Sequence, residues 1–402
     1  MSKRAAGEGS VFKNQSKGLW VAKVNVGGKP VERYAKTQAL ALEKLSQLNK
    51  EKSLGINITS TMKLNEFLPE WLEVHRNTIR VKTYVGYEQI IRNHLIPRFG
   101  KYKLNALTPE IITNTWNKMI KEGYTPNTIS HCQARLSIAL NVAVRRGFIS
   151  GNPCMYATKP KSLAKEINII DDKDITKILD AAKPTEYYEI IFMALQTGMR
   201  RGELCALQWR DINLLYADIY VNRTIYVSKG GVKNYQPPKT KSGKREIALV
   251  PEAVNFLKSM KKAQRYREAF YHSEAVMEQM LAEGHSEVEA HALSEVAFKE
   301  YEVDENSHVF QYLNGRQILP DAVTGYFKKI VKKPSVELPK AKFHDLRHTH
   351  AGILLKMNIN PKVVQERLGH SSIQVTMDIY SHITPNMQRD AIKGFSLFNQ
   401  PV

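Results

Sequence analysis

Four separated stretches of this 402-residue sequence hold arginines, lysines, imidazoles and one phenol in patterns suited to an anionic reacting group. The first is Thr197-Gly198-Met199-Arg200-Arg201-Gly202-Glu203-Leu204. Gly198 should break one helix and a second should begin near Arg201. Arg200 then sits at a helix N-terminus, where backbone N–H groups also favour an anion. The second is Lys239-Thr240-Lys241-Ser242-Gly243-Lys244-Arg245, a flexible basic tip between two strand patterns that could bring an ammonium onto a leaving group. In isolation it also reads as a solvated charge run. Lys239 and Lys241 compete for the role, and Lys241 is preferred because Lys-Ser-Gly-Lys stands directly before the second strand pattern.

The third stretch, Phe343-His344-Asp345-Leu346-Arg347-His348-Thr349-His350, reads as helix, with His344 and Arg347 at i and i+3 on one face. A guanidinium beside an imidazole offers a fork of donors for two phosphate oxygens. The rival is a metal site, because His344 and His348 stand at i and i+4 as on a zinc-binding helix. Against it, Arg347 places a permanent positive charge between them, and no glutamate follows His344 to act as a base. The fourth is Leu368-Gly369-His370-Ser371-Ser372, followed by Thr376-Met377-Asp378-Ile379-Tyr380-Ser381-His382. Asn360-Pro361 should open a short helix that Gly369 closes, leaving His370 just past its end. A new helix from Ser371 or Ser372 would carry Tyr380, although a lone helical tyrosine is ordinarily core or interface.

The elements that must position these groups follow from periodicity and caps. From Asn168 onward, Asp171/Asp172 caps one helix, Thr185–Thr197 gives another, strand patterns cover Asp218–Val227 and Arg245–Val250, and helices dominate after Pro251. Between Glu268 and Glu305 lie eleven acidic residues and one basic, Lys299, a net of −10. Ser286 with Glu289 forms a capping box there. The segment reads as a helical excursion turned from any polyanion, since carboxylates and phosphates repel. Its His272, His285 and His291 lack metal-ligand spacing.

Ahead of this region the chain reads as two further parts. The first fifty residues carry ten basic and three acidic side chains, a net of +7. Strand-like runs at Ser10–Lys13, Leu19–Val26 and Val31–Tyr34 precede a helix from Thr37 to about Asn49, with Leu40, Leu45 and Leu48 near one face. Such a small basic sheet suits a DNA groove; an ordinary ββα surface module fits it equally. A polar linker, Lys52–Met62, leads into four helices: Leu64–His75, Thr83–Leu95 closed by Pro97, one opened by Thr108-Pro109 and ended by Gly123, and one capped by Asn127 or Thr128 that stops at Gly147. Trp116, Met119 and Ile120 mark the apolar side of the third. Asn152-Pro153 and the run Lys159–Lys165 form a second basic linker.

Composition sets the outer bounds. The formal net charge is +20, so a polyanion is the first partner to consider, because each Lys or Arg against a phosphate releases condensed counterions. Apolar residues at 43% suffice for two or three cores. Cys132, Cys154 and Cys205 are widely spaced, which argues against a disulfide framework or a thiolate metal site. No apolar run has the length of a signal peptide's core or a bilayer span, so a soluble, intracellular protein is expected.

Together the four stretches resemble the tyrosine recombinase (phage integrase) family, whose signature is an Arg, a Lys, a His-x-x-Arg, a His or Trp, and a nucleophilic Tyr in that order. Arg200, Lys241, His344 with Arg347, His370 and Tyr380 match it position by position, firmly over Asn168 to about Phe395. The resemblance implies a multidomain α+β fold. A small three-stranded sheet plus helix would form an arm-type DNA-binding domain (1–52), a four-helix bundle the core-binding domain (63–155), and a mostly helical unit with a small antiparallel sheet the catalytic domain (168–402). That plan resembles integrases of phages and conjugative transposons. It implies site-specific recombination through a 3′-phosphotyrosyl intermediate, integrating and excising a mobile element, with no metal or other cofactor. The implied partners are double-stranded DNA at core and arm attachment sites, three further copies of the chain in a tetramer on DNA, an excisionase and a host DNA-bending factor, in a bacterial cytoplasm. The segment Ile383–Phe398 would dock on a neighbouring subunit or pack within its own chain. A type IB topoisomerase would use the same kind of site, but the separate basic N-terminal module argues for recombination. A metal-dependent hydrolase on His344 and His348, or a non-catalytic DNA-binding regulator, are the rivals of other classes.

Overall fold

The computed structural model describes residues 9–53, 61–161, 167–228, 230–238 and 241–383, and the chain divides into two compact units, Met1–Lys165 and Glu166–Val402. The fold is α+β.

The first unit opens with an antiparallel meander of β1 (Ser10–Asn14), β2 (Leu19–Val26) and β3 (Lys29–Ala35). Gly27 and Gly28 both take positive φ in the tight β2–β3 turn, a conformation that suits glycine. Helix α1 (Gln38–Ser53) buries Leu45 and Leu48 against Ala22 and Val24. The third member of that apolar face is Ala41, whereas Leu40, expected there, is 46% exposed. Positions 41, 45 and 48 follow the i, i+4, i+7 rule that position 40 breaks.

The bundle that follows has its own core. Helix α2 (Leu64–His75) buries Leu64, Phe67, Leu68, Trp71 and Leu72, the stripe its spacing specifies. Helix α3 (Val81–Ile90) starts from Arg80, not Thr83, and Pro97 does not close it. A wider π turn at Ile91–Leu95 carries the chain into α4 (Ile96–Phe99), with Pro97 in its first turn. Proline lacks an N–H and its ring crowds the carbonyl four residues back, and a widened turn accommodates both. Helix α5 (Pro109–Lys121) has Thr108 as its cap and buries Trp116 and Met119, but leaves Ile120 39% exposed. Helix α6 (Pro126–Arg145) is capped by Thr125, whose hydroxyl accepts from the Thr128 N–H at 3.3 Å. The expected caps Asn127 and Thr128 therefore lie inside the helix; Thr125-Pro126 repeats the Thr108-Pro109 device.

In the second unit, α7 (Asp172–Ala182) and α8 (Tyr188–Thr197) lead into the one-turn helix α9 (Arg201–Leu204). The run expected as one strand, 218–227, divides. Ile212–Asn213 (β4), Asp218–Val221 (β5) and Arg245–Ala248 (β8) form one antiparallel sheet, while Thr224–Val227 (β6) pairs with Lys233–Gln236 (β7) in another. Asn222 and Arg223 turn aside to bond Asp211 Oδ1, at 2.9 and 2.6 Å. Ile219, Val221 and Ile225 share one period-two phase that is interrupted at Arg223 alone, so periodicity did not separate the two strands. Helices α10 (Pro251–Ala282) and α11 (Glu287–Glu300) form a hairpin carrying most of the acidic segment, with Ser286 and Glu289 capping as expected. Then come α12 (Pro320–Ile330), α13 (Phe343–Lys356), α14 (Pro361–Leu368) and α15 (Ile373–Ile383). Ala351 and Leu355 of α13, Val364 and Leu368 of α14, and Ile379 of α15 make a compact apolar cluster beside the main core.

Candidate active site

Two left-handed glycines fix the geometry. Gly198 (φ 64°) ends α8 and Gly369 (φ 66°) ends α14, each turning the chain just before a site residue, Arg200 and His370. Both are also too close to other segments for a side chain. A methyl group on Gly198 would lie 2.6 Å from the His350 ring, and one on Gly369 would lie 2.6 Å from the Ser242 carbonyl oxygen.

The arginines lock these turns together crosswise. Arg347, 2% exposed on α13, donates to Gly198 O at 2.8 Å and Leu368 O at 2.6 Å. Arg200 donates to Gly369 O at 2.9 Å and to Glu203 Oε1 at 2.7 Å. A guanidinium has five N–H donors, so these bonds orient each fork and leave donors for an incoming oxyanion. Arg200 stands at the N-cap of α9, as its Gly turn suggests, with its backbone N–H on Glu203 Oε2 at 3.0 Å.

Glu203 was not evident as a site residue, although Arg200-x-x-Glu203 has the spacing of a capping box. Burial pushes its carboxyl up, but Arg245 and Arg200 outweigh this and hold it ionised. One buried carboxylate therefore faces Arg200, Arg245 and, through space, Arg347. Burial first, then the Arg200 charge, press Arg347 well below the usual guanidinium range. Arginine does not lose its proton in proteins, so that pressure is expressed as affinity for an anion.

His370, 6% exposed, is tied to α15: its Nδ1 lies 2.9 Å from Thr376 Oγ1, one helical turn before Tyr380. Burial, followed by the charges of Arg347 and Arg200 and by His348 and His344, drives its imidazole down to about 3. With Nδ1 on the threonine, Nε2 is the ring's other polar atom. His344 is exposed and His348 half-buried, their rings edge to face at 4.9 Å between centroids. Two imidazoles make half of a tetrahedral shell; among the described residues no group of three or more His, Cys, Asp or Glu side chains could hold a metal ion. Tyr380 is half-buried on α15 and packs against the apolar cluster of α13 and α14.

Arg200, His344, Arg347 and His370 thus share one electrostatic neighbourhood, with Tyr380 on the helix that anchors His370. Lys241 does not sit at a hairpin tip. The β6–β7 hairpin closes with the pair Val227 and Lys233, and the Lys241 backbone opens a 3-10 turn, Lys241–Gly243, directly before β8. Lys239 and the Lys241 side chain lie outside the described residues.

His350, also missed, stiffens the frame. Its Nδ1 donates to Leu195 O at 2.7 Å and its Nε2 accepts from Arg367 Nε at 3.1 Å. Burial and then the Arg367 charge hold it down to about 4. Protonation would set an N–H against an N–H. The unfolded chain takes that proton near pH 6.5 and the folded chain does not, so stability is full above about pH 6.5 and falls as pH drops towards 4. The slope for one such group is about 1.4 kcal/mol per pH unit. His370 acts in the same direction. Melting curves between pH 7.5 and 5 should show this loss, and His350→Gln should flatten it even if its melting temperature is lower throughout. An unchanged pH slope in that variant would refute the assignment.

Residues 168–387 match the family model described as "Phage integrase family", and residues 63–120 match "Phage integrase, N-terminal SAM-like domain". Over 380 residues the chain is 28% identical to a tyrosine recombinase XerC-like protein of Caldanaerobacter subterraneus subsp. tengcongensis, covering 90% of each chain. Its fold is that of the Tn1549 transposon integrase solved with transposon right end DNA (TM-score 0.66, 21% identity, 83% of this chain and 99% of that one). It is also that of the lambda integrase tetramer solved on a Holliday junction (TM-score 0.56, 18% identity, 100% of this chain and 99% of that one).

Proposed function

The chain belongs to the phage integrase family, and on that premise we propose that its site cuts and rejoins DNA with Tyr380 as nucleophile and Arg200, Lys241, His344, Arg347 and His370 assisting. It is a tyrosine recombinase, an enzyme of site-specific recombination that integrates and excises a mobile element, and DNA is its partner. The observation that carries the residue assignment is the crosswise locking of Arg200 and Arg347 through the Gly369 and Gly198 carbonyls.

Attack on a phosphodiester builds negative charge on its non-bridging oxygens, so prepositioned cations stabilise the transition state more than the ground state. Arg200 and Arg347 clamp those oxygens, and His344 and His370 donate further hydrogen bonds. The Tyr380 oxygen bonds to phosphorus, leaving a 3′-phosphotyrosyl linkage and a 5′-hydroxyl, whose proton comes from Lys241 as general acid. The linkage conserves the diester bond energy, and a 5′-hydroxyl from another strand reverses the step. Exchange between two duplexes uses four such sites, which supports a homotetramer on DNA. Segments 1–52 and 63–155 serve as arm- and core-binding domains before the catalytic domain, 168–402. An excisionase and a host DNA-bending factor are the fitting accessory partners. No helix among the described residues is long and apolar enough to cross a membrane, and a bacterial cytoplasm suits a protein working on DNA.

The test is covalent trapping. On a nicked core-site duplex that loses its 5′-hydroxyl fragment on cleavage, the wild-type protein should give a denaturation-resistant protein–DNA adduct in EDTA as well as without it. Loss of the adduct in chelator, restored by zinc or magnesium, would move the case to the hydrolase built on His344 and His348.

A further inference from the structure

Strand β8 runs inward–outward, with Arg245 and Ile247 buried and Glu246 and Ala248 exposed. Arg245 therefore occupies an inward position where an apolar side chain is the ordinary choice, and it is only 8% exposed. A buried guanidinium persists only where its donors are met, and all three of its nitrogens are engaged, each with a different part of the site. Nε donates to Arg367 O at 2.7 Å, Nη1 to Gly243 O at 3.1 Å, and Nη2 to Glu203 Oε2 at 2.9 Å.

Those three acceptors matter for where they lie. Gly243 O closes the Lys241–Gly243 turn. Glu203 is the carboxylate that holds Arg200. Arg367 O lies two residues before Gly369, whose own carbonyl receives Arg200. The circuit is closed, from the lysine turn to Arg245, to Glu203, to Arg200, to the histidine turn and back to Arg245. It is also tight, because Gly369 has no room for a side chain between Ser242 O and the Arg245 Cδ.

We propose that Arg245 is a positioning residue that sets the Lys241–Gly243 backbone turn against the Arg200–Glu203 pair, so that protonation of the leaving oxygen depends on it. This rests on the reading of Lys241 as general acid. As the Tyr380 oxygen bonds to phosphorus, its phenolic proton passing to water, the P–O5′ bond breaks and its electron pair leaves on O5′, which takes a proton from the Lys241 ammonium. Arg245 touches none of the reacting atoms. Its substitution should therefore damage the protonation of O5′ selectively, which a loosening of the whole site would not do.

A substrate with sulfur at the 5′-bridging position separates the two, since a thiolate leaves without needing the proton. Single-turnover cleavage is compared on oxygen and sulfur substrates for wild type, Lys241→Ala, Arg245→Lys and Arg245→Gln. The sulfur-to-oxygen rate ratio within each protein is independent of the fraction folded, so a partly unstable variant still reports. Lys241→Ala should lose on the order of a hundredfold or more on oxygen and return to within about threefold of wild type on sulfur. Both Arg245 variants should lose at least about tenfold on oxygen and recover likewise. If Lys241→Ala is not rescued by sulfur, the general-acid reading itself fails. If Lys241→Ala is rescued but the Arg245 variants are equally slow on both substrates, Arg245 serves the phosphate clamp and the proposal falls. Wild-type rates on oxygen in the Arg245 variants would overturn it too.

Discussion

Tyr380→Phe is expected to bind core-site DNA as the wild type does and to form no covalent adduct above background. The substitution removes only the attacking oxygen. The ring still packs against the cluster of Ala351, Leu355, Val364, Leu368 and Ile379, so the fold loses little. Arg200 and Arg347 keep their bonds to the glycine turns, so the phosphate site stays formed. The check is denaturing electrophoresis of a nicked duplex whose cleaved strand is labelled at its 5′ end, beside a binding titration on the same DNA. An adduct comparable to that of the wild type would remove Tyr380 as nucleophile.

Arg347→Lys is expected to slow cleavage by roughly a hundred- to a thousandfold, the cost of removing a prepositioned donor from the developing oxyanion. The charge is kept, but a compact ammonium cannot reproduce the planar fork that meets Gly198 O, Leu368 O and a phosphate together. Because the residue is 2% exposed and its acceptors lie in the interior, loss of those bonds should also lower stability by about 1–3 kcal/mol. DNA affinity and its salt dependence should change little, since the number of cations facing phosphates is preserved. Single-turnover rates at saturating protein and a thermal melt measure both effects. A rate within threefold of wild type would show that Arg347 is part of the frame and not of the clamp.

Much of the site was legible in the sequence, because its pieces are marked by local rules. Gly198 and Gly369 end helices by adopting a backbone conformation that side chains disfavour, and this is a property of the residue itself. Asn360-Pro361 opens α14 and Ser286 caps α11 through bonds spanning two or three residues. The Leu64–Leu72 stripe follows from helical period alone. The order of Arg200, Lys241, His344, Arg347, His370 and Tyr380 was likewise visible as a pattern along the chain.

Tertiary structure decided what local rules do not reach. The Arg347–Gly198 and Arg200–Gly369 bonds join residues 149 and 169 apart, and no periodicity encodes such a pairing. Glu203 has a spacing that suits a mere cap, and its role as the counter-charge of two arginines depends on Arg245 arriving from β8. Thr376 and His350 look like ordinary helix residues until their partners His370 and Arg367 are folded against them. The same holds for the corrections. Pro97 stays within a helix because a π turn precedes it, and the 218–227 run divides because Asp211 draws Asn222 and Arg223 away from the sheet. Residue type and short spacing determine where the chain turns and which groups can do chemistry. Which of those groups meet, and which buried partner holds each in place, is set by packing between distant segments, where a buried donor or acceptor must find a partner wherever the fold provides one.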